Sequence, residues 1–255
     1  MARFPPCLPS TIRLNSIMLT RCPNPLCLTT FKTGDDLGAK YGNCPICGQL
    51  MTIRPIALLD QIDQVAQKRA QSGLMQGGVM QPEKPPQLSA LLEDIRSLFN
   101  VGSILRTADG AGIRMLYLCG ITGCPPGREI AKTSLGAENH LSWQYHTGSL
   151  QAAAQLKDSG VFLLGLESPS ALPCLSQSRP LKDVLADKAI RSPLCLAVGN
   201  EVTGLSAELL DACDLICHLP MRGSKESLNV AVAFGIAAYM LSDRLLVADT
   251  SAARY

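Results

Sequence analysis

The chain has 255 residues, 47% hydrophobic and only 4% aromatic, which is enough for one substantial core with a small accessory module and poor material for an aromatic-rich β-sandwich. Its formal net charge of +2 excludes a strongly basic nucleic-acid binder, but the charge is uneven. Residues 1–54 hold Arg3, Arg13, Arg21, Lys32, Lys40 and Arg54 against Asp35 and Asp36, a net +4 that leaves the remainder at −2, so the front end is the expected polyanion contact.

The first stretch is broken by Pro5, Pro6, Pro9, Arg13 and Asn15 and lacks the continuous apolar segment of a secretory signal. The longest apolar run, Val230 to Leu241, is too short to cross a bilayer. A cytoplasmic protein with no membrane segment is expected. In that reducing compartment the 11 cysteines point to metal binding or core thiols before disulfides.

Cys22 and Cys27 enclose four residues, Cys44 and Cys47 enclose two, and Gly48 follows the second pair. Such short spacings let two thiolates converge on one ion from a tight turn. Two pairs complete a tetrahedral sulfur site of the kind zinc prefers, and four protein ligands make it structural rather than catalytic. Residues 1–54 are therefore predicted to be a zinc-ribbon-like module in which bound metal substitutes for a core too small to form alone. Residues 55–88 follow as a helix and linker. Ile56, Leu59, Ile62, Val65, Ala66 and Ala70 recur at helical spacing, and Gly77, Gly78, Pro82, Pro85 and Pro86 then break regular structure.

Residues 89–255 form the predicted main domain. Apolar runs at Leu88 to Ile95, Met115 to Cys119, Val161 to Leu166, Leu194 to Val198 and Leu215 to Leu219 read as strands. Stretches near 100–112, 150–159, 206–212 and 227–247 read as helices. Strands alternating with helices predict an α/β domain with a mostly parallel sheet, whose ligands bind beyond the carboxyl ends of the strands.

Three segments stand at such ends. In the first, Asn100 to Asp109, Asn100 is placed as a helix N-cap, Val101, Ile104, Leu105, Ala108 and Ala111 form a buried stripe, and Arg106 lies beside that stripe. Its planar fork suits a phosphate or a developing oxyanion, or serves simply as a surface charge. In the second, Val198-Gly199-Asn200-Glu201-Val202-Thr203-Gly204-Leu205-Ser206, the glycines permit close backbone approach to a ligand. Glu201 either orients a polar group or caps loop amides. The third, Leu219 to Val230, opens the Ala-rich helix, and Ser227 and Asn229 are candidate caps for it.

Together these segments, in this order and at these separations, closely resemble the signature motifs of the SpoU (TrmH) family within the SPOUT superfamily of RNA methyltransferases. Leu116 to Gly120 and Lys132 to Ala137 resemble that family's connecting region, and the likeness spans about residues 88–247. It implies a trefoil-knot methyltransferase domain that binds S-adenosyl-L-methionine (S-adenosylmethionine) and methylates a ribose 2′-hydroxyl in tRNA or rRNA. Carried over by position, Asn100, Arg106, Glu201, Ser227 and Asn229 are the expected catalytic group. Gly199, Asn200, Gly204, Leu219, Met221, Ser227 and Leu228 are the expected cofactor contacts. The resemblance also implies a homodimer whose active site is shared between subunits.

The cysteine module departs from the family's common plans, so its expected role, gripping structured RNA through phosphate contacts, comes from charge and spacing alone. A different function stays open: an inactive methyltransferase-like zinc-ribbon adaptor that only binds RNA. Degenerate motif residues would favour it, yet all five polar positions are occupied as expected.

Overall fold

Leu88–Glu93, Phe162–Leu166 and Leu194–Val198 are buried at every position, as strands covered on both faces must be. They lie at the centre of the computed structural model, which describes residues 82–169 and 178–252 without interruption. Before them it describes residues 19–21, 27, 30–32, 41–43, 45–47, 50–52, 60–61, 64–65, 67–68 and 76–78.

Two short antiparallel hairpins come first, β1 (Leu19–Arg21) with β2 (Thr30–Lys32) and β3 (Tyr41–Asn43) with β4 (Leu50–Thr52). Met51 on β4 is 1% exposed, and β4 packs beside α5 (Ala207–Ala212) of the main domain. The helix expected from Pro55 is helical at Asp60, Gln61, Gln64, Val65, Gln67 and Lys68; its remaining residues lie outside those described.

The main sheet has eight strands. Its members are β5 (Gln76–Gly77), β6 (Leu88–Glu93), β7 (Met115–Cys119), β8 (Ser142–His146), β9 (Phe162–Leu166), β10 (Ser178–Pro180), β11 (Leu194–Val198) and β12 (Leu215–His218), in the order β10-β12-β9-β11-β6-β7-β8-β5. Every pair is parallel except β5 with β8. Helices α1 (Leu98–Gly110), α2 (Arg128–Ser134), α3 (Ser149–Asp158), α4 (Leu181–Leu185), α5 and α6 (Val230–Ala252) flank it. Ile104 and Leu105 of α1 and Phe234 and Leu241 of α6 enter the core on one side, while Ala152 and Leu156 of α3 and Leu209 of α5 enter a second cluster.

Several expectations need correction. Asn100 does not cap α1: the cap is Ser97, whose hydroxyl accepts from the Asn100 N–H, and the helix begins two residues before Asn100. Leu98 and Phe99 in that first turn are exposed, so the apolar stripe starts later than the helix does. Strand β6 ends at Glu93 because Asp94 turns the chain at φ +54°. Part of the expected linker, Gln76–Gly77, pairs with β8 as an edge strand. At the third segment Asn229 takes the cap position, its Oδ1 accepting from the N–H groups of Ala231 and Val232 at 2.9 and 3.4 Å.

Candidate cofactor and acceptor site

The segments after β9, β11 and β12 converge beyond the carboxyl ends of the sheet, where open α/β folds place ligands. β9 lies between β11 and β12, so both longer loops bend over its end. They enclose a cleft of about 410 Å³, within the size range of small-molecule sites. All seven expected cofactor contacts, Gly199, Asn200, Gly204, Leu219, Met221, Ser227 and Leu228, line it.

The β11 loop keeps its shape through bonds within itself. Asn200 and Gly204 exchange backbone bonds of 3.2 and 2.8 Å, and the Asn200 Oδ1 accepts from the N–H groups of Val202 and Thr203. The Asn200 Nδ2 donates to the Asp94 carbonyl at 2.8 Å, tying the loop to the end of β6. Asn200 is thus a buried scaffold within the cleft wall. Two glycines are required here: a Cβ on Gly199 would stand 2.2 Å from the Gly204 carbonyl carbon, and Gly204 has φ +63°.

At the cleft's rim Glu201, Asn100 and Asn229 form one hydrogen-bonded chain. The Asn100 Nδ2 donates to Glu201 at 2.9 Å, and the Asn229 Nδ2 donates to the Asn100 Oδ1 at 3.1 Å. Glu201 also accepts from the N–H groups of Arg96 and Ser97, both at 3.0 Å. It therefore caps loop amides and orients a polar side chain at once. Burial works against the Glu201 charge, but the Arg96 amide, the Asn100 side chain and the Ser97 amide outweigh it and hold the carboxyl below its ordinary range. Ser227 lines the cleft and is exposed.

Arg106 stands apart. It is exposed on α1 and is not among the residues lining the cleft. An advance of six residues turns a helix about 240° at 3.6 residues per turn, so Arg106 and Asn100 leave α1 in different directions.

Leu166, Glu167 and Ser168 also line the cleft, a contribution that motif reading missed. The available signal was their position directly after an apolar strand in a parallel sheet. The Ser168 hydroxyl donates to the Glu226 carbonyl at 2.7 Å, pinning the β12 loop.

Of the four cysteines expected to hold metal, Cys22 and Cys44 lie outside the described residues. Cys27 is half-buried and Cys47 is exposed, and no group of three or more potential metal ligands occurs among the described residues. In sequence, Cys22 directly follows β1 and Cys27 precedes β2, while Cys44 directly follows β3 and Cys47 precedes β4. Each pair therefore brackets the connection of an antiparallel hairpin, a placement that fits a thiolate-bound ion. Among the described residues no helix is long and apolar enough to cross a membrane.

A mostly parallel sheet whose strand ends support a small-molecule cleft under two converging loops is the architecture of a ligand-binding α/β domain. The family can be stated more closely: the model of the SpoU rRNA Methylase family matches residues 87–239, and the chain belongs to that family. A Staphylococcus haemolyticus protein assigned to the TrmH family of tRNA/rRNA methyltransferases is 30% identical over 149 residues, which are 58% of this chain and 55% of that protein. A Staphylococcus aureus relative with the same assignment is 31% identical over 160 residues, 62% of this chain and 60% of its own length. The chain thus spans 55–60% of these curated relatives. Among solved structures, the AdoMet-bound rRNA methyltransferase of Sinorhizobium meliloti superposes with a TM-score of 0.56 at 25% identity, covering 64% of this chain and 59% of that one.

Proposed function

We propose that this chain transfers the methyl group of S-adenosylmethionine to a ribose 2′-hydroxyl of tRNA or rRNA. The observation that carries the proposal is the joining of all three motif segments at one place. The second and third wall a cofactor-sized cleft, and the first reaches its rim through the Asn229–Asn100–Glu201 chain. The bound donor in the Sinorhizobium meliloti neighbour supports the assignment of the cleft.

Gly199, Leu219, Met221 and Leu228 would hold the cofactor, largely through backbone and apolar contact. When bound, it supplies an electrophilic methyl carbon on a sulfonium. The chain's task is to align the ribose hydroxyl with that carbon, from which much of the acceleration comes. As the oxygen–carbon bond forms and the carbon–sulfur bond breaks, the hydroxyl proton passes to water or to a neighbouring RNA phosphate. The Arg106 guanidinium offers hydrogen-bond donors and no acceptor, so its role is to stabilise the developing alkoxide. Glu201 fixes the Asn100 amide, which together with Asn229 and Ser227 orients the acceptor.

Because Arg106 lies outside the cleft of its own chain, the proposed active unit is a homodimer in which Arg106 serves the partner's site. Val232, Ile236 and Tyr239, exposed at helical spacing on α6, supply an apolar stripe for that contact. The trefoil knot belongs to this same proposal, with the β12 loop and α6 threaded through the segment after β11. In the N-terminal module we assign zinc to Cys22, Cys27, Cys44 and Cys47, and assign the module's positive charge to RNA phosphates.

The test is calorimetric binding of S-adenosylmethionine, followed by transfer of its labelled methyl to separate tRNA and rRNA pools. Micromolar binding with transfer to one pool is expected. Binding with transfer to neither would leave an RNA-binding adaptor as the better account.

A further inference from the structure

Strand β11 has two neighbours, β6 and β9, and the carboxyl end of each brings a buried glutamate to the backbone leaving the β11 loop. Glu93, the last residue of β6, is 3% exposed. Its oxygens accept from the Ser206 N–H and hydroxyl, both at 2.7 Å, and from the Ser149 hydroxyl at 2.6 Å. It serves the scaffold and does not line the cleft. Glu167, one residue past β9, is 8% exposed and accepts from the Leu205 N–H at 2.5 Å and the Ser168 N–H at 2.8 Å. Its carboxylate packs so closely on Gly204 that a Cβ there would stand 2.0 Å from Oε2, yet Glu167 does line the cleft.

Pinning a loop is a task Glu93 performs with no exposure to the ligand space. A charge placed in the cleft wall has a further use, because a carboxylate desolvated beside a ligand demands donors from it. In dinucleotide-binding α/β sheets an acidic residue near the glycine-bearing turn hydrogen-bonds a ribose hydroxyl. Glu167 is placed comparably, just past the end of β9, the strand paired with β11, whose loop carries Gly199 and Gly204.

We propose that Glu167 is a specificity-determining residue of the cofactor site, its carboxylate accepting hydrogen bonds from the ribose hydroxyls of the methyl donor's adenosine. This rests on the reading of the cleft as the S-adenosylmethionine site.

The probes are 5′-methylthioadenosine, which lacks both the sulfonium and the amino-acid end, and its 2′,3′-dideoxy counterpart, titrated calorimetrically into the full chain. Wild type should prefer the diol form by about tenfold or more, the scale of a charge-assisted hydrogen bond. In Glu167→Gln the preference should fall to about threefold or less, and Glu167→Asp should give an intermediate ratio. In methyl-transfer assays Glu167→Gln should raise the donor KM while leaving kcat within about threefold. Equal binding of the two probes by wild type overturns the inference with no variant needed, and so does a Glu167→Gln protein that weakens both probes equally and keeps the wild-type ratio. Failure of wild type to bind either probe or S-adenosylmethionine overturns the cofactor reading itself, a different result from the loss of preference.

Discussion

The inner and outer sides of helix α1 serve different halves of the proposed reaction. On the inner side Asn100 is held by Glu201 and Asn229, residues over a hundred positions away in sequence, and joins a cleft that one chain completes. On the outer side Arg106 is exposed, on a helix that packs beside α6, which carries the exposed Val232, Ile236 and Tyr239. On the proposed reading, the difference teaches that donor binding and acceptor activation are separable: the first would need one chain, and the second another surface brought to Arg106.

The sharpest way to break the comparison is at Arg106. Arg106→Ala should lower kcat about 10²- to 10³-fold, the loss expected when a developing oxyanion loses its donor, while donor affinity measured by calorimetry stays within about twofold. Mixing that variant with Asn229→Ala protein should restore part of the activity if the two residues act across subunits. No restoration on mixing, with dimers confirmed by light scattering, would return Arg106 to its own chain's site.

Next in size is Glu201→Ala, which removes the acceptor of the Arg96 and Ser97 amides and of Asn100 together. About 2–3 kcal/mol of stability should be lost, a fall in Tm of roughly 4–12 °C by scanning calorimetry, with activity reduced as Asn100 is freed. An unchanged Tm would mean that the rim is not preorganised. Ser97→Ala tests the same helix start more gently: losing the cap should cost about 1 kcal/mol.

The smallest expected effect is in pH dependence. Burial lowers the His146 pKa from its ordinary value of 6.5, and its Nε2 has no hydrogen-bond partner among the described residues. The folded chain thus keeps this ring neutral while the unfolded chain protonates it, so stability is lost as pH falls below about 6.5. Glu201 acts lower: its depressed folded pKa adds stability above the ordinary carboxylate value, lost as pH falls through the folded one. Melting curves between pH 7.5 and 5.5 should show the His146 contribution, and His146→Phe should flatten that segment.

Much of the main domain was legible because its central strands are buried on both faces and therefore read as unbroken apolar runs. β8, Ser142-Trp-Gln-Tyr-His146, was missed because polar residues interrupt it, and β10, Ser178-Arg-Pro180, because it is a three-residue edge strand. Helices α2 and α4, of seven and five residues, are too short for a periodic signal. Within the site, motif positions led to Gly199, Glu201 and Asn229. Glu167 and Ser168 carry no motif, and their importance comes from where β9 ends between two loops. Asn100 was singled out for the wrong local reason: a cap residue is local chemistry, whereas its actual partners come from the β11 and β12 segments.

Ribose methylation is the central claim, and nucleoside analysis tests it most directly. RNA methylated by the purified chain with isotopically labelled S-adenosylmethionine would be digested fully to nucleosides and resolved by mass spectrometry. The account predicts label on the ribose of a 2′-O-methyl nucleoside, abolished by Arg106→Ala. Label found only on a base would contradict it.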